Sequence, residues 1–223
     1  MVRVIAIDGP SGSGKSSTSR RVGQALGFLH VDSGALYRIM TWQCLAQGVE
    51  TSDPAAVAAC AERVQVECRP ENGALAYYVD GEAPGARIRT PEINAHASPV
   101  ATVKAVRDRI TALLRGMTRY GDLVVEGRDI TTVVFPDSPA RFYLTASPEA
   151  RARRRQLEEV ATGVANQSAE AVKASLLARD AIDSTRAYAP LRKADGVLEI
   201  DSTQLTLDQV VETVLDALPA GWR

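Results

Sequence analysis

The chain has 223 residues, of which 45% are hydrophobic, and a formal net charge of −1. This length is enough for one α/β domain with insertions, and the balanced charge gives no global electrostatic case for nucleic-acid binding. No apolar run approaches the roughly 20 residues of a membrane helix, and the start lacks the regions of a signal peptide. Three cysteines without a C-x-x-C pair and only two histidines predict reduced thiols and no zinc site, as expected of a cytoplasmic protein.

A phosphate-binding motif follows the first predicted strand. The apolar run at residues 4–7 ends at Gly9-Pro10-Ser11-Gly12-Ser13-Gly14-Lys15-Ser16, which fits the P-loop pattern G-x-x-x-x-G-K-[ST]. Its glycines let successive backbone N–H groups point at an anion, and a helix predicted over 15–26 places its positive end there. We expect Lys15 to reach the β- and γ-phosphates and the Ser16 hydroxyl to help hold Mg²⁺. The motif therefore predicts binding of a nucleoside triphosphate.

In the next part of the chain, two predicted helices are followed by a short region of predicted β-strands. A short strand ends at Asp32-Ser33-Gly34, and helices are predicted over 35–47 and, after the Asp53-Pro54 cap, over 55–62. Alternating apolar residues from 64 to 68, an Asn72-Gly73 turn and a strand at 75–79 predict an antiparallel hairpin, which a second turn at Asp80-Gly81 extends into a small meander. Thr90-Pro91-Glu92 then starts another helix.

The second half of the chain returns to alternating helices and strands. Residues 100–114 carry one helical apolar face, and strands are predicted at 123–125, 141–144 and 197–200. Ser147-Pro148-Glu149 opens a basic helix, Ser168 caps the next, and a Thr206-x-x-Gln209 capping box starts the last. The polar residues 163–167 are the best candidate for a hinge. The alternation predicts a central parallel sheet flanked by helices, with the small antiparallel β insert.

Two strand ends carry charged groups suited to phosphate. Arg38 lies about one helical turn from Ser33-Gly34, where its guanidinium could clamp an anion. Considered alone, the segment is more typical of a capped surface helix with a solvated arginine. The run Glu126-Gly127-Arg128-Asp129 places an acid at the Walker-B position after an apolar strand. Its alternative is an exposed ion pair at a turn.

A third charged region runs from 151 to 192. Arg151, Arg154 and Arg155 share one helix face, and Arg179, Asp183 and Arg186 share another. Arginine pairs bidentately with phosphate oxygens, so a basic segment beside a hinge could close as a lid over the phosphates. The alternatives are a salt-bridged solvated helix, including a simple i,i+4 pair of Arg179 with Asp183, or a nucleic-acid patch.

Six segments carry a family resemblance over nearly the whole chain. They read, in order, IDGPSGSGKSS, VDSGALYR, IRTPEINAHAS, VVEGRDITTVVFP, FYLTAS and RDAIDSTRAYAPL. Together they resemble bacterial cytidylate kinases, which phosphorylate CMP and dCMP with ATP. The resemblance implies a P-loop kinase core at 1–33 and 99–223, with a lid within about 147–183. It also implies a CMP-binding domain at 34–98, with its antiparallel insert at about 63–90, and a monomer.

The resemblance also implies residue roles. ATP and Mg²⁺ would be held by the P-loop, with Ser16 at the metal; its residues are Gly9, Pro10, Ser11, Gly12, Ser13, Gly14, Lys15, Ser16 and Ser17. Transfer would depend on Lys15, Arg38, Arg128 and Arg186, the three arginines binding the CMP phosphate or the transferring group. Ser98, Arg107 and Asp129 would read cytosine, Arg179 and Asp183 would hold the ribose hydroxyls, and Ser33 would lie near the acceptor.

Two positions depart from the family pattern. Thr131 stands where relatives often have glycine, and a β-branched residue disfavours a positive φ, so the loop after Asp129 is expected to differ. Glu126 stands where some relatives carry aspartate, and its longer side chain changes how it meets Mg²⁺.

Three other functions fit parts of the sequence. A kinase for UMP or another small metabolite would show strong activity on that acceptor and no cytosine preference. A P-loop switch would hydrolyse its triphosphate without any acceptor, although no convincing Asn-Lys-x-Asp guanine signature is present. An RNA-binding protein using the arginine cluster would show steeply salt-dependent RNA binding.

Overall fold

The computed structural model describes residues 2–162 and 168–223, and its centre is a seven-stranded sheet. The strands in chain order are β1 (Val4–Asp8), β2 (Leu29–Asp32), β3 (Val66–Glu71), β4 (Ala74–Val79), β5 (Leu123–Gly127), β6 (Ala140–Thr145) and β7 (Leu198–Asp201). Their order across the sheet is β3-β4-β2-β5-β1-β6-β7. All neighbouring pairs are parallel except β3 with β4. The predicted α/β class, with one antiparallel insert, is confirmed.

The helices follow the predicted order closely. They are α1 (Lys15–Leu26), α2 (Ser33–Ala46), α3 (Pro54–Arg63), α4 (Pro91–Thr102), α5 (Lys104–Gly116), α6 (Pro148–Thr162), α7 (Ala169–Thr185) and α8 (Leu207–Asp216). The predicted caps are present: the side chains of Asp53, Thr90 and Ser168 each accept a backbone N–H in the first turn of their helix. The Thr206–Gln209 capping box is also formed. Each cap contributes about 1 kcal/mol to its helix.

Both faces of the sheet are buried, which explains the unbroken apolar run of β1. Val4 and Ala6 belong to a core that also contains Leu36 of α2 and Ile110 of α5. The alternate residues of β1 belong to a second core that includes Val22 of α1 and Val214 of α8. Because successive strand residues point to opposite faces, a strand between two apolar layers is apolar at successive positions, as β1 is from Val4 to Ile7.

The helical face at 100–114 is divided between two helices, where the sequence predicts one. Val103 is extended, at φ −73° and ψ 119°, and separates α4 from α5. The Thr102 hydroxyl donates to the Pro99 carbonyl over 2.7 Å, while the Val103 amide bonds to Val100. A side chain thus occupies the carbonyl that a continuing helix would use, which apolar periodicity does not reveal.

The antiparallel insert is a two-stranded hairpin that extends the main sheet. The predicted turn at Asn72-Gly73 joins β3 to β4, and the turn at Asp80-Gly81 leads only to one isolated bridge between Val79 and Glu82. Strand β4 meets β2 at a single parallel pair, His30 with Ala74. The expected meander therefore has two strands and a bridge, joined to β2 at one position.

Other short turns are Gly85–Arg89, Met117–Tyr120 and the π-helical turn Ile130–Val134. The hinge predicted at 163–167 lies outside the described residues. Within the two described ranges, no helix has the length and apolar character needed to cross a bilayer.

Candidate active site

The carboxyl ends of β1, β2 and β5 open into one cleft, which α2, α4, α5, α6 and α7 complete. It encloses about 910 Å³ of space, part of it open to solvent. Most of the predicted site residues line it: Ser11, Gly12, Lys15, Ser16, Ser33, Arg38, Ser98, Arg107, Arg128, Asp129, Arg179, Asp183 and Arg186. The fold thus brings together the three charged regions that the sequence singled out.

The remaining predicted residues belong to the P-loop but not to the cleft lining: Gly9, Pro10, Ser13, Gly14 and Ser17. Two glycines show why the motif needs them. A Cβ on Gly9 would lie 2.0 Å from the Leu144 carbonyl oxygen of β6, and Gly12 has φ +76° with the Arg151 carbonyl oxygen 3.0 Å from a built Cβ. No other residue fits either position without moving backbone.

Lys15 lies under the P-loop and is only 5% exposed. Its Nζ donates to the Pro10 carbonyl over 2.7 Å and lies 3.4 Å from the Ser13 hydroxyl. Burial, and after it the Arg128 charge, lower the pKa of Lys15 to about 7, against the opposing effect of Glu126. An anion placed on the loop would favour the charged form of this lysine.

The Walker-B acid contacts the P-loop directly. The Ser16 hydroxyl donates to Glu126 Oε2 over 2.8 Å, and the Ser33 hydroxyl donates to the Glu126 carbonyl over 2.6 Å. His30 Nε2 lies 3.1 Å from the other carboxylate oxygen, Oε1. One hydroxyl and one carboxylate are the oxygen donors that Mg²⁺ takes from protein when nucleotide phosphates and water supply the rest. No group of three or more His, Cys, Asp or Glu suited to a metal occurs within the described ranges.

Half-buried arginines from three elements line the cleft. Arg38 comes from α2, Arg128 follows β5 and Arg179 comes from α7. Burial, followed by the charges of Arg128 and Arg38, lowers the pKa of Arg179 to about 10. Burial also lowers the pKa of Arg38, which the Asp32 carboxylate opposes. Cations crowded in this way favour an anionic occupant.

Four arginines that line the cleft have a buried nitrogen with no hydrogen-bond partner among the described residues. These nitrogens are Nε of Arg38, Nε of Arg107, Nε of Arg179 and Nη2 of Arg186. A buried unpaired donor costs roughly 1–3 kcal/mol, so proteins rarely leave one without a function. Four such donors around one cleft would suit a ligand rich in acceptor oxygens.

A buried polar cluster, Ser98, Arg107 and Asp129, also lines the cleft; we call it the Arg107 cluster. Arg107 is 1% exposed, forms an ion pair with Asp129 and donates to the Ala101 carbonyl over 3.1 Å. The Tyr37 ring lies against this guanidinium, with 5.1 Å from its carbon to the ring centroid. Burial and the Asp129 charge raise the pKa of the Tyr37 hydroxyl, which keeps it a neutral donor.

Asp183 pairs with arginines other than the one predicted from helical spacing alone. Arg128 Nε donates to it over 3.1 Å, and Arg186 lies 3.6 Å from its other oxygen. Arg186 also donates to the Ala189 carbonyl over 2.7 Å. Because Arg128 belongs to a different element, Asp183 links α7 to the end of β5. The alternative of a simple Arg179–Asp183 surface pair is therefore not what the structure contains.

The three arginines on the basic face of α6 lie in different surroundings. Arg151 donates to the Ser11 carbonyl and pairs with Asp180, while Arg154 donates to the Ser202 hydroxyl and carbonyl. These two arginines fasten α6 to the P-loop and to the segment after β7. Only the third, Arg155, lines the cleft.

Sequence reasoning missed Asp8, which fixes the loop carrying Asp129. Its fully buried carboxylate accepts from the Ile130 amide (2.9 Å), the Thr131 amide (2.7 Å) and the Thr131 hydroxyl (2.7 Å). Burial raises the pKa of Asp8 to about 6, although these bonds oppose the rise. Thr131 is not among the residues with positive φ, so the conformational conflict expected there does not arise. The only signal was an acid inside an apolar strand, next to Gly9.

His30 was missed as well, because a lone histidine in a short strand carries no recognisable motif. Asp32 and Arg89 also line the cleft, where Arg89 Nη2 lies 3.5 Å from the Asp32 carboxylate. Asp32 also caps α2, because its Oδ1 accepts a hydrogen bond from the Ala35 amide.

Comparison with known proteins places this arrangement in a family. The chain is 46% identical to the cytidylate kinase of Streptomyces avermitilis over 214 residues, which is 95% of this chain and 90% of that protein. It is 40% identical to that of Shouchella clausii, over 95% of this chain and 94% of the relative. A solved Thermus thermophilus protein shares the fold at 17% identity with a TM-score of 0.50, over 98% and 99% of the two chains. The family described as cytidylate kinase matches residues 5–220, and the chain belongs to it.

Proposed function

We propose that this protein transfers the γ-phosphoryl group of ATP to CMP or dCMP, giving ADP and CDP or dCDP. The observation that carries the proposal is the cleft itself. It joins a P-loop to arginines with buried unpaired nitrogens and to a fully buried polar cluster. A cleft with these two ends suits a donor with several phosphates at one end and a phosphorylated base at the other.

The donor side is the P-loop. Its backbone amides and Lys15 would bind the ATP phosphates, and Ser16 with Glu126 would hold Mg²⁺, the two side chains already being joined by a 2.8 Å hydrogen bond. When bound, Mg²⁺ neutralises charge on the phosphate oxygens. Pro10 and Ser13 already contact Lys15, so they set its position beneath the loop.

The acceptor side would bind each part of the nucleotide separately. Arg38, Arg128 and Arg186 would take its phosphate, and Arg179 with Asp183 its ribose hydroxyls. In the Arg107 cluster, Asp129 and Ser98 would accept from the cytosine amino group, while Arg107 would donate to N3 or O2. Uracil would place a carbonyl against Asp129, acceptor facing acceptor, and such unpaired buried groups discriminate strongly. Ser33 lies close to this side but donates to Glu126.

Transfer would be direct and in line. An oxygen of the CMP phosphate forms the new bond to the γ-phosphorus as the bond to the β-γ bridging oxygen breaks, and ADP leaves. The arginines hold the two phosphate groups in line and offset their mutual repulsion. No covalent enzyme intermediate is needed.

We assign residues 34–98, with the hairpin at about 63–90, to acceptor binding, and a lid to about 147–183. Two contacts support the lid assignment. The Ser11 amide donates to Asp180 Oδ1 over 3.2 Å, and Arg151 of α6 donates to the Ser11 carbonyl over 3.0 Å. The lid helices thus reach the P-loop, where closure would exclude water from the triphosphate.

An ADP-release assay with ATP, Mg²⁺ and a panel of acceptors tests the proposal. The panel is CMP, dCMP, UMP, AMP, GMP and no acceptor. We expect strong turnover with CMP and dCMP and little in the acceptor-free sample. Strong turnover with UMP or a purine nucleotide instead would contradict the cytosine roles of the Arg107 cluster. Turnover independent of any acceptor would indicate a hydrolytic switch.

A further inference from the structure

The carboxylate of Glu126 is fixed at both oxygens by residues far apart in the sequence. Ser16 donates to Oε2 over 2.8 Å, and His30 Nε2 lies 3.1 Å from Oε1. The side chains of His30 and Glu126 are 5% and 6% exposed, so water has little access to the pair. A carboxylate with this pair of partners has a defined orientation, with Oε2 toward the P-loop.

The sheet register explains why His30 reaches this carboxylate. On parallel neighbours β2 and β5, His30 is opposite Val124 and Asp32 is opposite Glu126. His30 and Glu126 are therefore diagonal neighbours on one face, within reach of a ring and a long acid. A carboxylate oxygen accepts hydrogen bonds, so the contact is a hydrogen bond in the form of His30 that has a proton on Nε2.

We propose that His30 is a positioning residue for the cation of the bound nucleotide, fixing the Glu126 carboxylate so that the oxygen beside Ser16 faces that cation. Without the ring donor, Oε1 loses its partner and the glutamate side chain can rotate about its terminal torsion. The inference rests on the proposed function only in taking Ser16 and Glu126 as the groups that hold the cation.

Two His30 variants separate hydrogen bonding from packing. His30→Phe keeps a planar ring but removes the donor, and His30→Gln keeps a donor on a side chain of similar reach. The readout is the affinity of Mn²⁺ for the full-length protein saturated with ADP, taken from the free-ion electron paramagnetic resonance signal. We expect His30→Phe to weaken Mn²⁺ binding about tenfold and His30→Gln to stay within about threefold of the wild type. ADP affinity in EDTA and thermal unfolding report whether each variant is folded.

Glu126→Asp supplies the sharper comparison. The shorter carboxylate ends too far from His30 to keep the contact, so His30→Phe should change Mn²⁺ affinity less than about twofold in that background. The inference is overturned if His30→Phe binds Mn²⁺ like the wild type, or if it has the same effect beside Glu126 and in the Glu126→Asp background. It is also overturned if His30→Gln is as defective as His30→Phe while both are folded.

If His30→Phe yields no folded protein, His30→Leu, which also lacks a donor, replaces it in the two backgrounds. A tenfold loss beside Glu126 together with less than a twofold change beside the shorter acid supports the inference, and equal effects in both backgrounds, or no loss beside Glu126, contradict it. CMP-dependent ADP release by the wild type is scored separately. If the variants show that Mn²⁺ binding depends on His30 but the wild type phosphorylates no CMP, the proposed acceptor is overturned and the role of His30 stands.

Discussion

The P-loop draws its backbone from one continuous stretch, residues 9–16, whereas the Arg107 cluster takes Ser98 from α4, Arg107 from α5 and Asp129 from the turn after β5. The two also differ in hydrogen bonding. Lys15 and Ser16 have protein partners, while the Arg107 cluster and nearby arginines include buried nitrogens without partners among the described residues. A site for phosphate, common to every nucleotide, can be a self-contained local motif. A site that reads one base requires precise convergence of distant residues.

Replacing the P-loop lysine should impair transfer to every acceptor, so the loss should not depend on what is bound at the acceptor end of the cleft. Lys15→Ala is expected to lower turnover with CMP and with dCMP alike, by roughly 10³-fold, because in the proposed mechanism Lys15 binds the phosphates of the donor. ADP release with both acceptors measures it. The matched control is Arg20→Ala, which removes an exposed cation from the same helix. A loss confined to one acceptor would contradict a role at the shared phosphates.

Removing the Asp129 charge should affect only the acceptor end. Asp129→Asn keeps the shape but presents an amide where the cytosine amino group would donate, and it leaves Arg107 without its ion pair. We expect kcat/KM for CMP to fall by roughly 100-fold or more, while ATP affinity stays within about twofold. Steady-state kinetics and calorimetry measure the two quantities. Asp108→Asn, an exposed carboxylate on α5, is the control. An equal loss of ATP affinity would show that Asp129 serves both ends.

Proton uptake when ATP binds should report on Lys15 at the donor end of the cleft without any mutation. Lys15 has a pKa of about 7 in the protein, and a bound phosphate raises it. Above about pH 7, ATP binding should therefore take up as much as one proton, and ATP affinity should fall with rising pH by up to tenfold per unit. Calorimetry near pH 8 in buffers of different ionisation heat measures the uptake. Equal apparent binding heats in all buffers would contradict it, and Lys15→Met should abolish the uptake.

The smallest effect should come from the turn that carries Asp129. Thr131→Val removes a 2.7 Å hydrogen bond to Asp8, a loss of about 2 kcal/mol in unfolding free energy near pH 7. The folded pKa of Asp8, about 6, lies above its ordinary 3.8, so ionisation of Asp8 destabilises the fold as pH rises between these values. The lost bond favours the ionised form, so the defect should shrink toward pH 4. Urea unfolding at both pH values measures it. Thr131→Ser keeps the hydroxyl and should be nearly neutral; a pH-independent defect would contradict the argument.

The features that could be predicted from the sequence are those that depend on residues close together in the chain. The start of α1 at Lys15, the caps at Asp53, Thr90 and Ser168, and the turn at Asn72-Gly73 all depend on residues a few positions apart. The division at Val103 was not predictable, because apolar periodicity continues across it.

Long-range contacts account for the rest of what the sequence left open. Asp8 bonds a residue 123 positions later, and His30 bonds one 96 positions later. Neither contact leaves a local pattern, since each depends on the sheet order that places β5 between β1 and β2. The roles of Ser98, Arg107 and Asp129 in base recognition came only from family resemblance and stay a prediction.

The sheet order also bears on synthesis of the chain. Strand β1 pairs only with β5 and β6, through partners such as Val4 with Leu123 and Ile5 with Ala140. At translation rates of roughly 5–20 residues per second, β1 therefore waits on the order of ten seconds for its first neighbour to leave the ribosome. During that interval an apolar strand with both edges unpaired is open to chaperones or to aggregation. The strand that leads into the P-loop thus stays unpaired until β5, more than a hundred residues later in the chain, has been made.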